Sequence, residues 1–243
     1  MILNRYFHKI RSLFMLSIAL IVNHFCIAQE SSYQSREVAG FQVYVNKNDL
    51  PQHEAPINSA IQFIEGKLEE IKALGLQPSV EKQLLSINIF LEWSNGSHGT
   101  AVYNRSAYAL QTLNQSMEKW KAVEIHHVRN FLKNDTSRQP YLIFHELAHG
   151  YHDRIGKLEQ GMITHAYENA MQLGLYDRMV PNQFGERVYP YARADEREYF
   201  AELSVAFLAK NTTYPFISTE LEVHDPVGYR MLTTLWRFKI PRD

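Results

Sequence analysis

From Tyr141 to Tyr151 every residue except His145, Glu146 and His149 is apolar, aromatic or glycine. A helix that is hydrophobic nearly all round belongs in the interior of a fold. Two imidazoles and a carboxylate are unfavourable there unless each finds a partner, and one metal ion can serve them all. The spacing supports this. Residues four apart on a helix are separated by about 6 Å of rise and about 40° of rotation, so both rings reach one point. Glu146 stands about 100° round from His145, beside such an ion and not on it. Asp135, Thr136 and Ser137 are candidate caps for this helix, Pro140 suits its first turn, and Gly156 suits a C-terminal stop.

His145-Glu146-x-x-His149 is the pattern of zinc hydrolases, in which the glutamate takes a proton from metal-bound water. The competing reading is a buried helix with two hydrogen-bonded histidines and a salt-bridged glutamate. No neighbour in the sequence is an obvious partner for them.

The rest of the chain is read by its periodicities. Glu30 to Gly40 is polar and reads as a loose leader, followed by an alternating strand at Phe41–Val45 that Asn46–Pro51 ends. Ile57, Ala60, Ile61, Ile64, Leu68, Ile71 and Leu74 have helical spacing, with Gly75 as the stop. Leu84–Trp93 and Thr100–Asn104 read as strands around a loop at Ser94–Gly99, and Ala122–Ile125 as a further strand leading into a short helix near Val128–Leu132. After the histidine helix come a helix at Leu158–Leu173 interrupted by Gly161, a turn-rich segment to Pro190, a strongly apolar helix at Glu196–Lys210, and short helices at Phe216–Glu222 and Pro226–Phe238. Strands early and helices late predict a single α+β domain.

Arg5, Lys9 and Arg11 precede an apolar run from Leu13 to Val22, and Cys26-Ile27-Ala28 supplies small residues, so residues 1–28 read as a secretory signal peptide. An uncleaved anchor is the alternative, disfavoured because the run is shorter than the ~20 residues a spanning helix needs. Lipidation of Cys26 is disfavoured by the Asn23-His24-Phe25 approach to it. The expectation is a secreted or periplasmic protein, with residues 29–243 as its catalytic domain and no stable membrane insertion after cleavage. Cleavage removes the only cysteine, so the mature chain relies on its core and not on disulfides. With 25 Lys+Arg against 26 Asp+Glu there is no basic excess to point to nucleic acid or a membrane surface. Asn95, Asn104, Asn114, Asn134 and Asn211 lie in Asn-x-Ser/Thr sites, which are glycan acceptors in a eukaryotic secretory pathway.

A catalytic zinc usually has three protein ligands and one water. The segment Tyr189 to Leu203 is the best source of the third, because Glu198 and Glu202 are one turn apart on a helix whose other face is apolar. One carboxylate can bind the metal while the other holds a ligand histidine by its free ring nitrogen. Asp195-x-x-Glu198 also fits a capping box, which would turn Glu198 back on the helix start and leave Glu202 as the ligand. His165 is a further alternative. His152 is about 10 Å along the axis from His145, too far for one zinc, and reads as a pocket residue or one supporting a ligand. Tyr191 can be a simple core tyrosine.

His145-Glu146-x-x-His149 followed by Tyr191, Glu198-x-Phe200-Ala201 and Glu202 resembles the catalytic domain of anthrax lethal factor-type zinc metallopeptidases, and more broadly the thermolysin-like gluzincins. The likeness covers His145 to Glu202. It implies a zincin-like domain, a small twisted sheet with a central His-Glu-x-x-His helix and a second helix that carries the third ligand. It also implies Glu198 as that ligand of a single zinc ion, Glu202 as the acid behind a histidine, and Tyr191 as a donor to the oxyanion. The expected activity is hydrolysis of peptide bonds in a peptide or protein substrate, with Glu146 as general base and the substrate added as a strand along Thr100–Asn104. The rivals are a zinc hydrolase of another amide, such as a cell-wall crosslink, a non-catalytic zinc-stabilised binding module, and a metal-free structural protein.

Overall fold

Phe41, Val43 and Val45 alternate with more polar neighbours, and this two-residue period builds strand β2 (Phe41–Asn46) with its odd-numbered side chains in the core. In a computed structural model of the chain, residues 31–94, 100–134 and 139–236 are described. The chain divides into two units, Met1–Ser32 and Tyr33–Asp243. The second is a mixed α+β unit. The expected signal segment 1–28, the candidate caps at 135–137, most of the 94–99 loop and the last residues of the tail lie outside the described residues. No helix among the described residues is long and apolar enough to cross a membrane.

The five-stranded sheet has the order β1-β2-β3-β5-β4, with β1 (Tyr33–Val38), β3 (Ile89–Leu91), β4 (Ala101–Tyr103) and β5 (Val123–Ile125). β1 pairs antiparallel with β2, β2 and β3 are parallel, β3 and β5 are parallel, and β4 returns antiparallel on β5 as an edge strand. The polar leader expected at 30–40 is therefore corrected to a strand. Its polarity follows from its place at the other edge of the sheet, where only Tyr33 and Val38 are buried.

Helix α1 (Leu50–Ala73) starts earlier than its apolar stripe and kinks at His53; it buries Ile57, Ala60, Ile64, Leu68 and Ile71 against the sheet. The long strand expected at Leu84–Trp93 is shorter. Pro78–Leu85 forms helix α2, because Pro78 suits the first turn and Val80 and Leu84 share a buried face one turn apart. Only Ile89–Leu91 remains as strand. Ile89, Leu91, Val123 and Ile125 face the helical side, while Phe90 turns to the opposite face against Tyr33. The chain between β4 and β5 forms helix α3 (Ala107–Thr112) and a 3-10 turn at Met117–Lys119, whose Lys119 reaches that second face beside Tyr33. Lys119 pins the turn, with its buried ammonium 2.6 Å from both Glu92 and Glu124.

Helix α4 (Val128–Asn134) leads to α5 (Leu142–His152), which carries the histidine motif, and then to α6 (Lys157–Gln172). Gly156 does not stop α5; it precedes α6 as its N-cap, and α6 runs unbroken through Gly161, a single interior glycine that weakens a helix by about 1 kcal/mol without ending it. The turn-rich segment holds a small hairpin, β6 (Val180–Pro181) and β7 (Arg187–Val188). Helices α7 (Glu196–Leu208), α8 (Ser218–His224) and α9 (Pro226–Trp236) close the core. Trp236 stacks on Tyr151 of α5 and on Phe200 of α7, which also stack on each other with centroids 6.4 Å apart, and donates to Ser204 Oγ at 3.0 Å. This stack fixes α5 against α7.

Candidate metal centre

α5 buries Ile143, Phe144, Leu147, Ala148 and Tyr151, which leaves the one stripe carrying His145 and His149 turned toward α7. α7 starts at an extended Asp195, whose carboxylate accepts the N–H groups of Arg197 at 2.8 Å and Glu198 at 3.0 Å. Asp195 is thus a cap. The second half of the capping box is not made, because the Glu198 carboxylate points across to α5. His145 Nε2 lies 3.1 Å from Glu198 Oε2 and 3.1 Å from His149 Nε2, and His149 Nε2 lies 3.4 Å from the same carboxylate oxygen. His145, His149 and Glu198 each offer one ligand atom, and the three atoms lie within 4.8 Å of one another. Glu202, one turn further along α7, places Oε1 3.3 Å from the other ring nitrogen of His145, Nδ1.

Two imidazole nitrogens and one carboxylate oxygen on a single point form a donor set that suits zinc and leaves a position open. The electrostatics of the protein groups fit a cation. Burial works against charge on His145, but hydrogen bonds to Glu198 and Glu202 outweigh it and hold the imidazole up to about 10. Burial likewise opposes charge on Glu198, and the two histidines reverse that and hold its carboxyl down to about 2.

Glu146 projects from α5 beside the histidines and is only 6% exposed. Its Oε2 accepts the backbone N–H of Tyr103 at 2.7 Å, a bond from the edge strand β4. His126 N–H to Thr100 O and Asn104 N–H to Ala122 O show that the even-numbered residues of β4 face β5. The backbone groups of Ala101 and Tyr103 therefore face outward over the centre. The Tyr103 hydroxyl donates to Asp153 at 3.1 Å and accepts from Arg154 Nη1 at 3.0 Å, which ties the strand to the end of α5. A cleft of about 620 Å3 opens above these groups, lined by Ala101, Tyr103, His145, Glu146, Glu198 and Tyr191 among others.

Comparison with protein-family models, with curated proteins and with solved structures returned no match to this chain. The likeness to anthrax lethal factor-type peptidases therefore rests on the motif residues themselves.

Tyr191 stands in a 3-10 turn just before α7, 57% exposed on the cleft wall, so it is not a core tyrosine. The Glu198 carboxylate, followed by partial burial, pushes its phenol up. His152 also lines the cleft, but its neighbours are Glu196, at 3.6 Å, and the Phe200 ring, not the ligand side chains. Burial, then His149, lowers its imidazole to about 4. Of the two places read for His152, a pocket residue or one supporting a ligand, the structure puts it in the cleft wall. His165 is exposed on α6 and outside the cleft lining, which removes the three-histidine alternative. Two residues gain roles that sequence reading did not assign. Tyr103 carries the amide that holds Glu146, and its place in a candidate edge strand was the available signal. Asn211, noticed only as a glycan site, donates to Glu202 at 3.0 Å.

Proposed function

We propose that this protein is a zinc-dependent metallopeptidase of zincin-like fold, acting on peptides or proteins and exported by its N-terminal segment. The observation that carries the reading is the convergence of His145 and His149 from α5 with Glu198 from α7, beside Glu146, at the floor of a cleft bordered by the edge strand β4.

His145, His149 and Glu198 would hold the ion. Zinc in such a setting acidifies water and polarises a carbonyl. Glu146 sits where a carboxylate can accept a proton from the attacking water and return it to the leaving amine. Its bond to the Tyr103 N–H fixes one oxygen and leaves the other for that exchange. Tyr191 projects from the cleft wall, from where its hydroxyl can donate to the oxygen on which charge develops. Ala101 offers an N–H and a C=O to an extended peptide lying along β4, whereas the Tyr103 C=O already accepts the Arg105 N–H at 2.9 Å.

The test is metal analysis of the purified chain together with cleavage of a mixed peptide library. Wild type should carry one zinc per chain and cleave. Glu146→Gln should keep the zinc and lose about 10²–10⁴ in rate. A chain without zinc, or cleavage that persists in Glu146→Gln, ends this reading.

A further inference from the structure

Asn211 follows α7 and is 6% exposed. Its backbone N–H donates to Phe216 O at 2.8 Å, and its side-chain amide is used at both ends. Oδ1 accepts the Thr212 N–H at 2.8 Å, and Nδ2 donates to Glu202 Oε2 at 3.0 Å. Side-chain amides are usually ambiguous between their two orientations. This one is not. Turned over, it would set an NH2 group against a backbone donor and a carbonyl oxygen against a carboxylate. The remaining oxygen of Glu202, Oε1, is the one 3.3 Å from His145 Nδ1. A continuous relay thus runs from the Thr212 amide through Asn211 and Glu202 to His145.

We propose that Asn211 is a positioning residue of the metal centre: it fixes the Glu202 carboxylate so that Oε1 takes the His145 Nδ1–H and Nε2 keeps its lone pair for the ion. This rests on the zinc reading above and extends it to a residue beyond the ligands and the acid that supports them. The ring nitrogen that ligates is set by the hydrogen bond made by the other one, and groups that set it commonly alter metal affinity 10- to 100-fold. The relay also sets the Asn211-Thr212-Thr213 triplet apart from an exposed glycan acceptor. Its amide is buried and committed on both sides.

Zinc affinity of the full chain, measured by competition with a chelating dye, separates this role from general support of the fold. Asn211→Asp is nearly isosteric and keeps the acceptor for Thr212, but it replaces the donor to Glu202 with a second carboxylate. It should weaken zinc about 10- to 100-fold. Glu202→Gln should weaken it also, because Asn211 draws the new amide's oxygen to itself and turns an NH2 toward His145 Nδ1. Combining the two reverses the polarity of the contact. The carboxylate at 211 then accepts from the amide at 202, whose oxygen returns to His145. The double variant should therefore bind zinc more tightly than Glu202→Gln alone, an outcome that loss of fold cannot produce. If Asn211→Asp proves too unstable to measure alone, the comparison of Glu202→Gln with the double variant still decides. Wild-type affinity in Asn211→Asp, or a double variant no tighter than Glu202→Gln, overturns the role of Asn211 and leaves the zinc reading standing. A wild-type chain that takes up no zinc ends both.

Discussion

Burial alone would strip His145 of its proton, yet Glu198 and Glu202 face its two ring nitrogens and hold the imidazole up to about 10. Its contribution to folding is complete below the unfolded value of 6.5 and is lost as pH climbs toward about 10. Glu198, held down to about 2, contributes above its unfolded value of 4.5 and loses that contribution as pH falls toward about 2. Chelator-treated protein should therefore show its pH optimum for stability, as far as this cluster sets it, between 4.5 and 6.5. Zinc binding runs the other way. The ion must displace the His145 proton from Nε2, so apparent affinity should rise with pH, by about tenfold per unit for one displaced proton. Chelator competition at several pH values across neutrality measures this, and a flat profile would contradict a proton at His145. At this scale much was legible in the chain. His145, Glu146 and His149 are a local pattern, and a helix alone decides how they are disposed. Tyr103 and Asn211 were not legible as site residues, because their contributions are a backbone amide and a contact over nine residues or more.

α5 approaches the sheet closely where Gly150 faces it. A Cβ there would sit 2.7 Å from Ile87 Cδ1 and 3.2 Å from the Tyr103 ring. Gly150→Ala gains about 1 kcal/mol of helix propensity but overpacks a buried contact, at a typical cost of about 1–3 kcal/mol. The expected result is a lower urea midpoint with an unchanged slope; a higher midpoint would show that the contact relaxes freely. α7 depends on its cap. Asp195→Ala removes the acceptor for two N–H groups and should cost about 1 kcal/mol in the same assay. It should also weaken zinc, because Glu198 is in the turn that the cap orders. Element types were readable wherever one periodicity dominated, as in α1, α5 and α7. β1 was missed because an edge strand tolerates polar residues on both faces, and α2 because Val80 and Leu84 form too short a stripe to announce a helix.

Across the whole molecule, the centre lies between α5 and α7, so the ion would join the sheet-side and C-terminal helices. Ligand binding to the folded state alone adds about 2.7 kcal/mol at 100 times Kd. For a unit of this size that should raise Tm by about 5–10 °C on zinc addition to chelator-treated protein. His149→Ala should abolish the increment, and an equal increment in that variant would place the metal elsewhere. Residue pattern alone determined that the chain builds an apolar helix with two histidines on one stripe and a glutamate beside them, because helical geometry is local and needs no knowledge of the fold. Only the tertiary structure decided that Glu198 meets both histidines while Glu202 stands behind His145, and that β4 lies over Glu146. Glu198 and Glu202 are one turn apart on the same face, so either could meet the pair. The choice depends on how far α7 is slid and rotated along α5, which long-range packing of Trp236, Tyr151 and Phe200 sets and no local spacing can specify.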